Sequence, residues 1–254
     1  MTTTTPFDYL NQEAASPLLL ICDHASNKVP PHLGTLGLEE EYFEQHIAYD
    51  IGAAAVTKGL SQRLDMSCVL AGYSRLAIDL NRPLGHPESI PEVSDRVIVP
   101  GNAKLTETEK QDRARPLFEP YHDAINEALA HIWNRGTPPA LFSIHSFTPH
   151  YGEEIRPWDV GVLWNRDPRI AVPLIDRLKQ TGMNVGDNLP YSGRDQLAFT
   201  IDMHGTAAGI ANCAIEIRQD HVADEAGIEK WTNILETALS EIILLEGVFK
   251  VQHF

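Results

Sequence analysis

Two histidines each follow an apolar run of this chain. His24 comes two residues after the run PLLLIC at 17–22, with Asp23 between them, and His145 closes the run ALFSIH at 140–145. Imidazole nitrogens are common metal ligands, and a catalytic zinc site takes three protein ligands and keeps a fourth position open. Two histidines at equivalent positions therefore indicate a divalent metal site that requires at least one further ligand.

A glutamate lies inside a third apolar run. Glu216 is surrounded by small and aliphatic residues in ANCAIEIR, where an ionised carboxylate is costly unless a cation partners it. Arg218 is a poor partner, because alternate residues of a strand point to opposite faces. Glu216 is therefore expected to face a metal ion or another cation inside the protein.

The elements that must position these residues alternate along the chain. Short runs rich in Val, Ile, Leu and Phe predict strands, and longer amphipathic segments predict helices. The predicted strands are 17–22, 67–71, 76–80, 139–145, 159–164 and 212–217, and the predicted helices are 39–64, 105–133, 168–181 and 222–245. This alternation predicts an α/β fold, layered α/β/α around a mostly parallel mixed central sheet. In such sheets ligands bind beyond the carboxyl ends of the strands, where His24 and His145 fall.

Composition restricts the classes of partner. The chain has 20 Lys and Arg against 35 Asp and Glu, a formal net charge of −15, which disfavours nucleic acid. No apolar stretch is long enough to span a bilayer, and the N-terminus lacks the basic and apolar regions of a secretory signal. We therefore expect a cytoplasmic protein with no membrane partner, folded as a single domain over residues 1–254, with its three cysteines reduced.

Seven segments of the chain carry a family resemblance. In order they are DHASNKVP, HIAYDIGA, YSRLAIDLNRP, IHSFTP, RPWDVGVLW, DNLPY and AIEIRQD. Together they resemble the N-formylglutamate amidohydrolase family across nearly the whole chain. The order His, Arg, Asn-Arg, His, Glu more distantly resembles the zinc carboxypeptidase and aspartoacylase group, which implies a zinc-exopeptidase-like fold.

The remote resemblance implies a role for each matching residue. It implies that His24 and His145 bind the metal and that Glu216 is the general base, which takes a proton from the attacking water and passes it to the leaving nitrogen. It implies further that Arg75 polarises the scissile carbonyl. Asn81 and Arg82 would then hold the substrate carboxylate, a role that suits the planar, two-pronged guanidinium of arginine.

The third ligand departs from that pattern. The remote group has a glutamate three residues after the first histidine, where this chain has Asn27, a poor zinc ligand. Asp50 is the best substitute, because the spacing of Phe43, Ile47, Asp50 and Ala54 matches one inward face of a helix. His46 shares nearly the same face, and its interpretation as a partner of a ligand or as a solvated helix residue is favoured over direct ligation. Asp23 and His204 are further candidates.

The sequence therefore predicts a metal-dependent amidohydrolase, with zinc as the metal that best suits its candidate ligands. Its expected substrate is a small anionic N-acyl amino acid, with N-formyl-L-glutamate, hydrolysed to formate and L-glutamate, as the leading candidate. Two alternatives stay open: another N-acyl amino-acid deacylase or carboxypeptidase-like hydrolase, and a non-catalytic protein that binds a metal or an acidic ligand. Glu216 favours an enzyme, because a binding protein needs no inward carboxylate beside the metal.

Overall fold

The apolar runs of the sequence lie side by side in one seven-stranded sheet. The computed structural model describes residues 5–195 and 198–254. The sheet strands are β1 (Phe7–Leu10), β2 (Leu18–Cys22), β3 (Cys68–Ala71), β6 (Ala140–Phe147), β9 (Val160–Leu163), β10 (Val185–Asp187) and β11 (Asn212–Arg218). Two short hairpins flank the sheet, formed by β4 (Val93–Ser94) with β5 (Val97–Ile98) and by β7 (His150–Tyr151) with β8 (Glu154–Ile155).

The sheet is mixed and mostly parallel. Its strand order is β1-β3-β2-β6-β11-β9-β10. Strands β3, β2, β6 and β11 run parallel, β1 pairs antiparallel at one edge, and the parallel pair β9-β10 joins β11 antiparallel at the other. The carboxyl ends of β2, β6 and β11 therefore meet at one edge of the sheet, which is where such folds bind ligands.

Helices cover both faces of this sheet. The α-helices are α1 (Ala53–Arg63), α2 (Glu107–Asn134), α3 (Pro168–Gln180), α4 (Phe199–Ile201) and α5 (Glu225–Ile242). Helices α1, α3 and α5 pack on one face, and α2 packs on the other, each over its own buried apolar cluster. The predicted α/β/α layering is confirmed.

Side chains cap the N-termini of the two longest helices: Thr106 and Glu109 form a capping box at the start of α2, and Asp224 caps α5.

The predicted helix over 39–64 is wrong in its first half. Only a short 3-10 turn forms at Glu40–Glu44, and the α-helix begins at Ala53. Gly52 separates the two segments with a φ of 78°, a conformation that side-chain-bearing residues rarely adopt. A Cβ at Gly52 would also lie 2.3 Å from the carbonyl oxygen of Val222. Asp50 therefore lies in a loop before the helix.

The predicted strand over 76–80 is also wrong. This segment consists of turns, although Leu76, Ala77, Ile78 and Leu80 are all buried. Their burial comes from packing against α2 and against a small cluster under the loops, not from strand pairing. The turns bring Arg75 and Asn81 back to the same edge of the sheet.

Among the described residues, no helix is long and apolar enough to cross a bilayer.

Candidate active site

His24 stands between two carboxylates just beyond β2. Its Nδ1 lies 3.2 Å from Oδ2 of Asp50, and its Nε2 lies 2.8 Å from Oδ1 of Asp79. The backbone fixes this arrangement, because the N–H of Asp50 donates to the carbonyl of His24 at 3.0 Å. All three side chains are buried.

His145 has the same kind of environment near the end of β6. Its Nδ1 lies 2.8 Å from Oδ2 of Asp50, and its Nε2 lies 3.1 Å from Oδ2 of Asp23. Asp23 in turn accepts a hydrogen bond from the hydroxyl of Tyr121 at 2.9 Å. The two imidazole ring centres, of His24 and His145, are 5.1 Å apart. Asp50 therefore contacts the Nδ1 atoms of both histidines with a single oxygen.

The His24, Asp50 and His145 group can hold a metal ion. One ligand atom from each residue lies within 4.8 Å of the other two. A tetrahedral zinc site with bonds near 2.0–2.1 Å spaces its ligand atoms by about 3.4 Å, so only small adjustments are required. The chemistry of the donors also fits, because imidazole and carboxylate are ordinary zinc ligands.

Asp79 and Asp23 orient the two histidines of this group. Each carboxylate contacts Nε2, on the far side of the ring from Asp50. A carboxylate at that position fixes the tautomer of a ligating histidine and presents the opposite nitrogen to the metal. Both histidines therefore have the arrangement that a metal site requires.

The electrostatics of the group favour positive charge. Burial opposes the protonated form of His145, but hydrogen bonds with Asp23 and Asp50 outweigh burial and raise its pKa well above the ordinary value. Burial likewise opposes the charged form of Asp50, yet the neighbouring histidines hold its pKa far below the usual range. The pKa of Asp79 is lowered in the same way by Arg75 and His24. A divalent cation would supply this positive charge directly.

Glu216 lies beside the group on the neighbouring strand. It pairs with His145 in the β11-β6 register, so the two side chains project from the same face of the sheet. Glu216 is 8% exposed, and burial together with the charge of Asp50 raises its pKa to about 7, against the lowering influence of His145, His24 and Arg75. Its carboxylate lines a cavity of about 320 Å³ that also reaches His24, Asp50 and His145.

Three polar residues of the 75–82 turn line the same cavity. Arg75 binds Oδ2 of Asp79 at 2.7 Å and lies 3.5 Å from Oδ1 of Asp50. Asn81 is buried and accepts a hydrogen bond from the N–H of Thr200 at 3.0 Å. Arg82 pairs with Glu88 at 3.0 Å, and both residues line the cavity.

The other sequence candidates lie outside the His-Asp-His group. His46 lines the cavity, but its nearest charged partner is Asp95 at 3.3 Å. Asn27 donates to Glu44 at 3.2 Å. His204 lies in a π-helical turn at Asp202–Thr206 and contacts His122, with 2.8 Å between ring nitrogens.

Two residues of the site are not found from the sequence. Asp79 falls within the predicted strand over 76–80, where one acid between aliphatic residues does not by itself indicate a functional role. If YSRLAIDLNR were recognised as a turn, Asp79 would become a candidate site residue. Arg156 follows the β7-β8 hairpin and lines the cavity with only 4% of its surface exposed. In the sequence it opens the family segment RPWDVGVLW, but nothing there indicates that its side chain is buried.

Comparison with known proteins shows the family of this chain. The sequence model of the N-formylglutamate amidohydrolase family matches residues 16–223. This chain belongs to that family. The matched segment contains every residue of the candidate site, from His24 to Glu216.

Solved structures share the fold of this family member. A gene product of Agrobacterium tumefaciens is 33% identical, with a TM-score of 0.91 over 94% of this chain and 95% of that one. The N-formylglutamate amidohydrolase of Ralstonia eutropha JMP134 is 19% identical, with a TM-score of 0.76 over 94% of this chain and 97% of that one. A search of curated proteins finds no significant match. The family resemblance expected from the seven segments is confirmed.

Proposed function

We propose that the chain is a metal-dependent amidohydrolase that converts N-formyl-L-glutamate and water into formate and L-glutamate. The observation that carries this proposal is the pairing of Glu216 with His145, which places a buried carboxylate next to the His-Asp-His group in one cavity. Membership of the N-formylglutamate amidohydrolase family supports the reaction and the substrate.

His24, Asp50 and His145 would hold the metal, and zinc suits these donors. A zinc ion bound there would supply Lewis-acid chemistry: it would polarise the formyl carbonyl and make water a stronger nucleophile near neutral pH. Asp79 and Asp23 keep the two histidines in place through Nε2. The protein therefore fixes the geometry of the site before substrate arrives.

Glu216 moves the proton in this proposal. It accepts a proton from the water whose oxygen attacks the formyl carbon, and it returns that proton to the nitrogen as the carbon–nitrogen bond breaks. A buried carboxylate on a central strand suits this role, because pairing with a strand on each side fixes its backbone position. Atoms balance as one water consumed and one formate and one amino acid released.

Arg75 and the 81–82 pair would orient the substrate. The side chain of Arg75 is 26% exposed and lines the cavity while two carboxylates fix its guanidinium, so it can stabilise negative charge that develops on the carbonyl oxygen. Asn81 and Arg82 would hold the α-carboxylate of the substrate. Arginine is suited to this contact because its N–H groups meet both carboxylate oxygens.

A test combines metal removal with a substrate panel. The protein is measured as purified, after treatment with a chelator, and after restoring zinc, with formate and free amino acid quantified on N-formyl-L-glutamate and N-acetyl-L-glutamate. We expect turnover of the formyl substrate, its loss with the metal and its return with zinc. Full turnover after the metal is gone would contradict metal dependence. A preference for the acetyl compound would contradict formyl specificity, and zinc-loaded protein that hydrolyses neither would contradict the enzyme proposal.

A further inference from the structure

Arg156 is a buried arginine that has no acidic partner among the described residues. Only 4% of its surface is exposed, and within residues 5–195 and 198–254 it forms no ion pair. Its single side-chain hydrogen bond in that part of the chain runs from Nη1 to the hydroxyl of Tyr191 at 2.8 Å. Its Nε is buried and has no hydrogen-bond partner there.

Two other arginines of low exposure have hydrogen-bond or ion-pair partners within the protein. Arg113 donates to the carbonyls of Ala77 and Gly101 and to the side chain of Asn102. Arg169 pairs with the carboxylate of Asp167. A buried charge that lacks such partners costs several kcal/mol, which a bound anion can offset. Arg156 therefore differs from these structural arginines.

Aromatic rings hold the Arg156 guanidinium at the cavity. Its central carbon lies 4.8 Å from the ring centre of Tyr191, 5.0 Å from that of Tyr151 and 5.9 Å from that of Phe147. Arg156 and all three rings line the cavity that contains Glu216. These cation–π contacts use none of the guanidinium N–H groups, so within the described residues only the bond to Tyr191 occupies them and the others can serve a ligand.

The backbone brings Tyr191 to this position by a close approach. The carbonyl oxygen of Leu189 lies 2.2 Å from the place of a Cβ at Gly161 and 2.3 Å from that of a Cβ at Gly186. Only glycine at these paired positions of β9 and β10 lets the 188–191 segment pass so near the sheet. Burial raises the pKa of Tyr191, with a further rise from the charge of Glu216 and opposing contributions from Arg156 and Arg75, and its ring lines the same cavity as these three residues.

We propose that Arg156 binds the side-chain carboxylate of the substrate and thereby selects N-acyl amino acids with an acidic side chain. This inference rests on the proposed function. The substrate carries two carboxylates, and the other two cavity arginines are each already paired with acids, Arg75 with Asp50 and Asp79 and Arg82 with Glu88. Arg156 is the buried cation whose charge a second substrate carboxylate would neutralise.

Binding measured without turnover tests this assignment. In the Glu216→Gln protein, the dissociation constants of N-formyl-L-glutamate and of its near-isosteric side-chain amide, N-formyl-L-glutamine, are compared by calorimetry. A charge-assisted, two-pronged contact predicts that the glutamate ligand binds about 10–100-fold more tightly. Adding Arg156→Gln should remove most of that difference by weakening the glutamate ligand, with a much smaller effect on the amide.

Two further variants distinguish a direct contact of the guanidinium from an indirect effect. Tyr191→Phe should keep the discrimination, since the carboxylate contact belongs to the guanidinium. Arg194→Gln is the matched control, because Arg194 also stacks on an aromatic ring, that of Trp164 at 5.4 Å, and does not line the cavity. It should keep the discrimination as well.

The outcomes are distinct. Equal affinity of the Glu216→Gln protein for the two ligands would overturn the proposal, whether or not the Arg156 variant folds. Equal weakening of both ligands by Arg156→Gln, accompanied by a lower Tm, would overturn it in favour of a structural role. Loss of discrimination in Tyr191→Phe would assign the contact to the tyrosine instead. If wild-type protein hydrolyses neither compound, the proposed reaction fails, while discrimination in binding still supports the Arg156 assignment.

Discussion

Glu216 and His145 occupy directly paired positions on the neighbouring parallel strands β11 and β6. Their side chains therefore project from the same face of the sheet, while the alternating residues Ile215 and Ile217 pack into the core on the other face. On its other side Glu216 pairs with Gly161 of β9, where the backbone of Leu189 takes the place that a side chain would fill. Strand pairing thus sets a carboxylate beside a histidine, and both residues line the cavity.

Asp79→Asn should weaken metal binding. The substitution removes the charge that holds Nε2 of His24 while keeping the shape of the side chain. Loss of such a supporting carboxylate typically lowers metal affinity by about 10–100-fold. A zinc competition titration measures this change, and an unaltered dissociation constant would show that Asp79 serves Arg75 rather than the metal site.

Asp159→Asn provides the matched control for that experiment. Asp159 also accepts from a histidine, His221, at 3.0 Å, but it does not line the cavity. Its substitution should leave zinc affinity unchanged. Equal loss of affinity in both variants would indicate a general effect of removing a carboxylate from the protein.

His204 should make the protein less stable in mild acid. Burial and the neighbouring His122 lower the pKa of His204 to about 4, against the raising influence of Asp23. The folded protein therefore resists a proton that the unfolded chain accepts near pH 6.5. The contribution of this group to stability is complete above about pH 6.5 and declines as the pH falls towards about 4.

His204→Gln tests this pH dependence. The free energy of unfolding of the variant should fall less steeply between pH 6.5 and 4, with a difference in slope of up to about 1.4 kcal/mol per pH unit. His122 stays in place in this variant, as do Asp23 and Asp123, the acids whose charges act on it. Urea unfolding across the range measures the slopes, with His32→Gln at an exposed site as control. Parallel curves for wild type and the His204 variant would refute the expectation.

Arg82→Lys should raise KM while leaving metal content unchanged. Lysine keeps the positive charge but loses the two-pronged hydrogen bond to a carboxylate. Arg82 lines the cavity but does not belong to the His-Asp-His group, so zinc stoichiometry gives an independent check. Steady-state kinetics on N-formyl-L-glutamate measure the effect, and unchanged kinetics would make Arg82 a structural partner of Glu88.

The strands that carry the site are predictable from sequence. The runs at 17–22, 139–145 and 212–217 are rich in aliphatic residues and correspond to β2, β6 and β11. Polar residues that interrupt or follow such runs are easily seen, and His24, His145 and Glu216 are found in this way. The short edge strands β1 and β10 are not predicted, because FDYL and VGD lack the aliphatic runs that mark β3 and β9 at a similar length.

The loops are not predictable in the same way. The spacing argument places Asp50 near the histidines through a helical face that does not exist; the contact arises instead from a loop held before Gly52. Leu76, Ala77, Ile78 and Leu80 look like a strand because tertiary packing buries them. Asp79 and Arg156 acquire their partners only through such loops, and spacing along the chain does not record these contacts.

The Glu216→Gln variant tests the central claim most directly. Its kcat on N-formyl-L-glutamate is measured together with its zinc content and its Tm. The amide keeps the shape of the side chain but cannot accept a proton from water. We predict that kcat falls by about 10²–10⁴-fold with little change in KM, while zinc content and Tm remain those of the wild type. Wild-type turnover by this variant at full zinc occupancy would contradict the assignment of Glu216 as the general base.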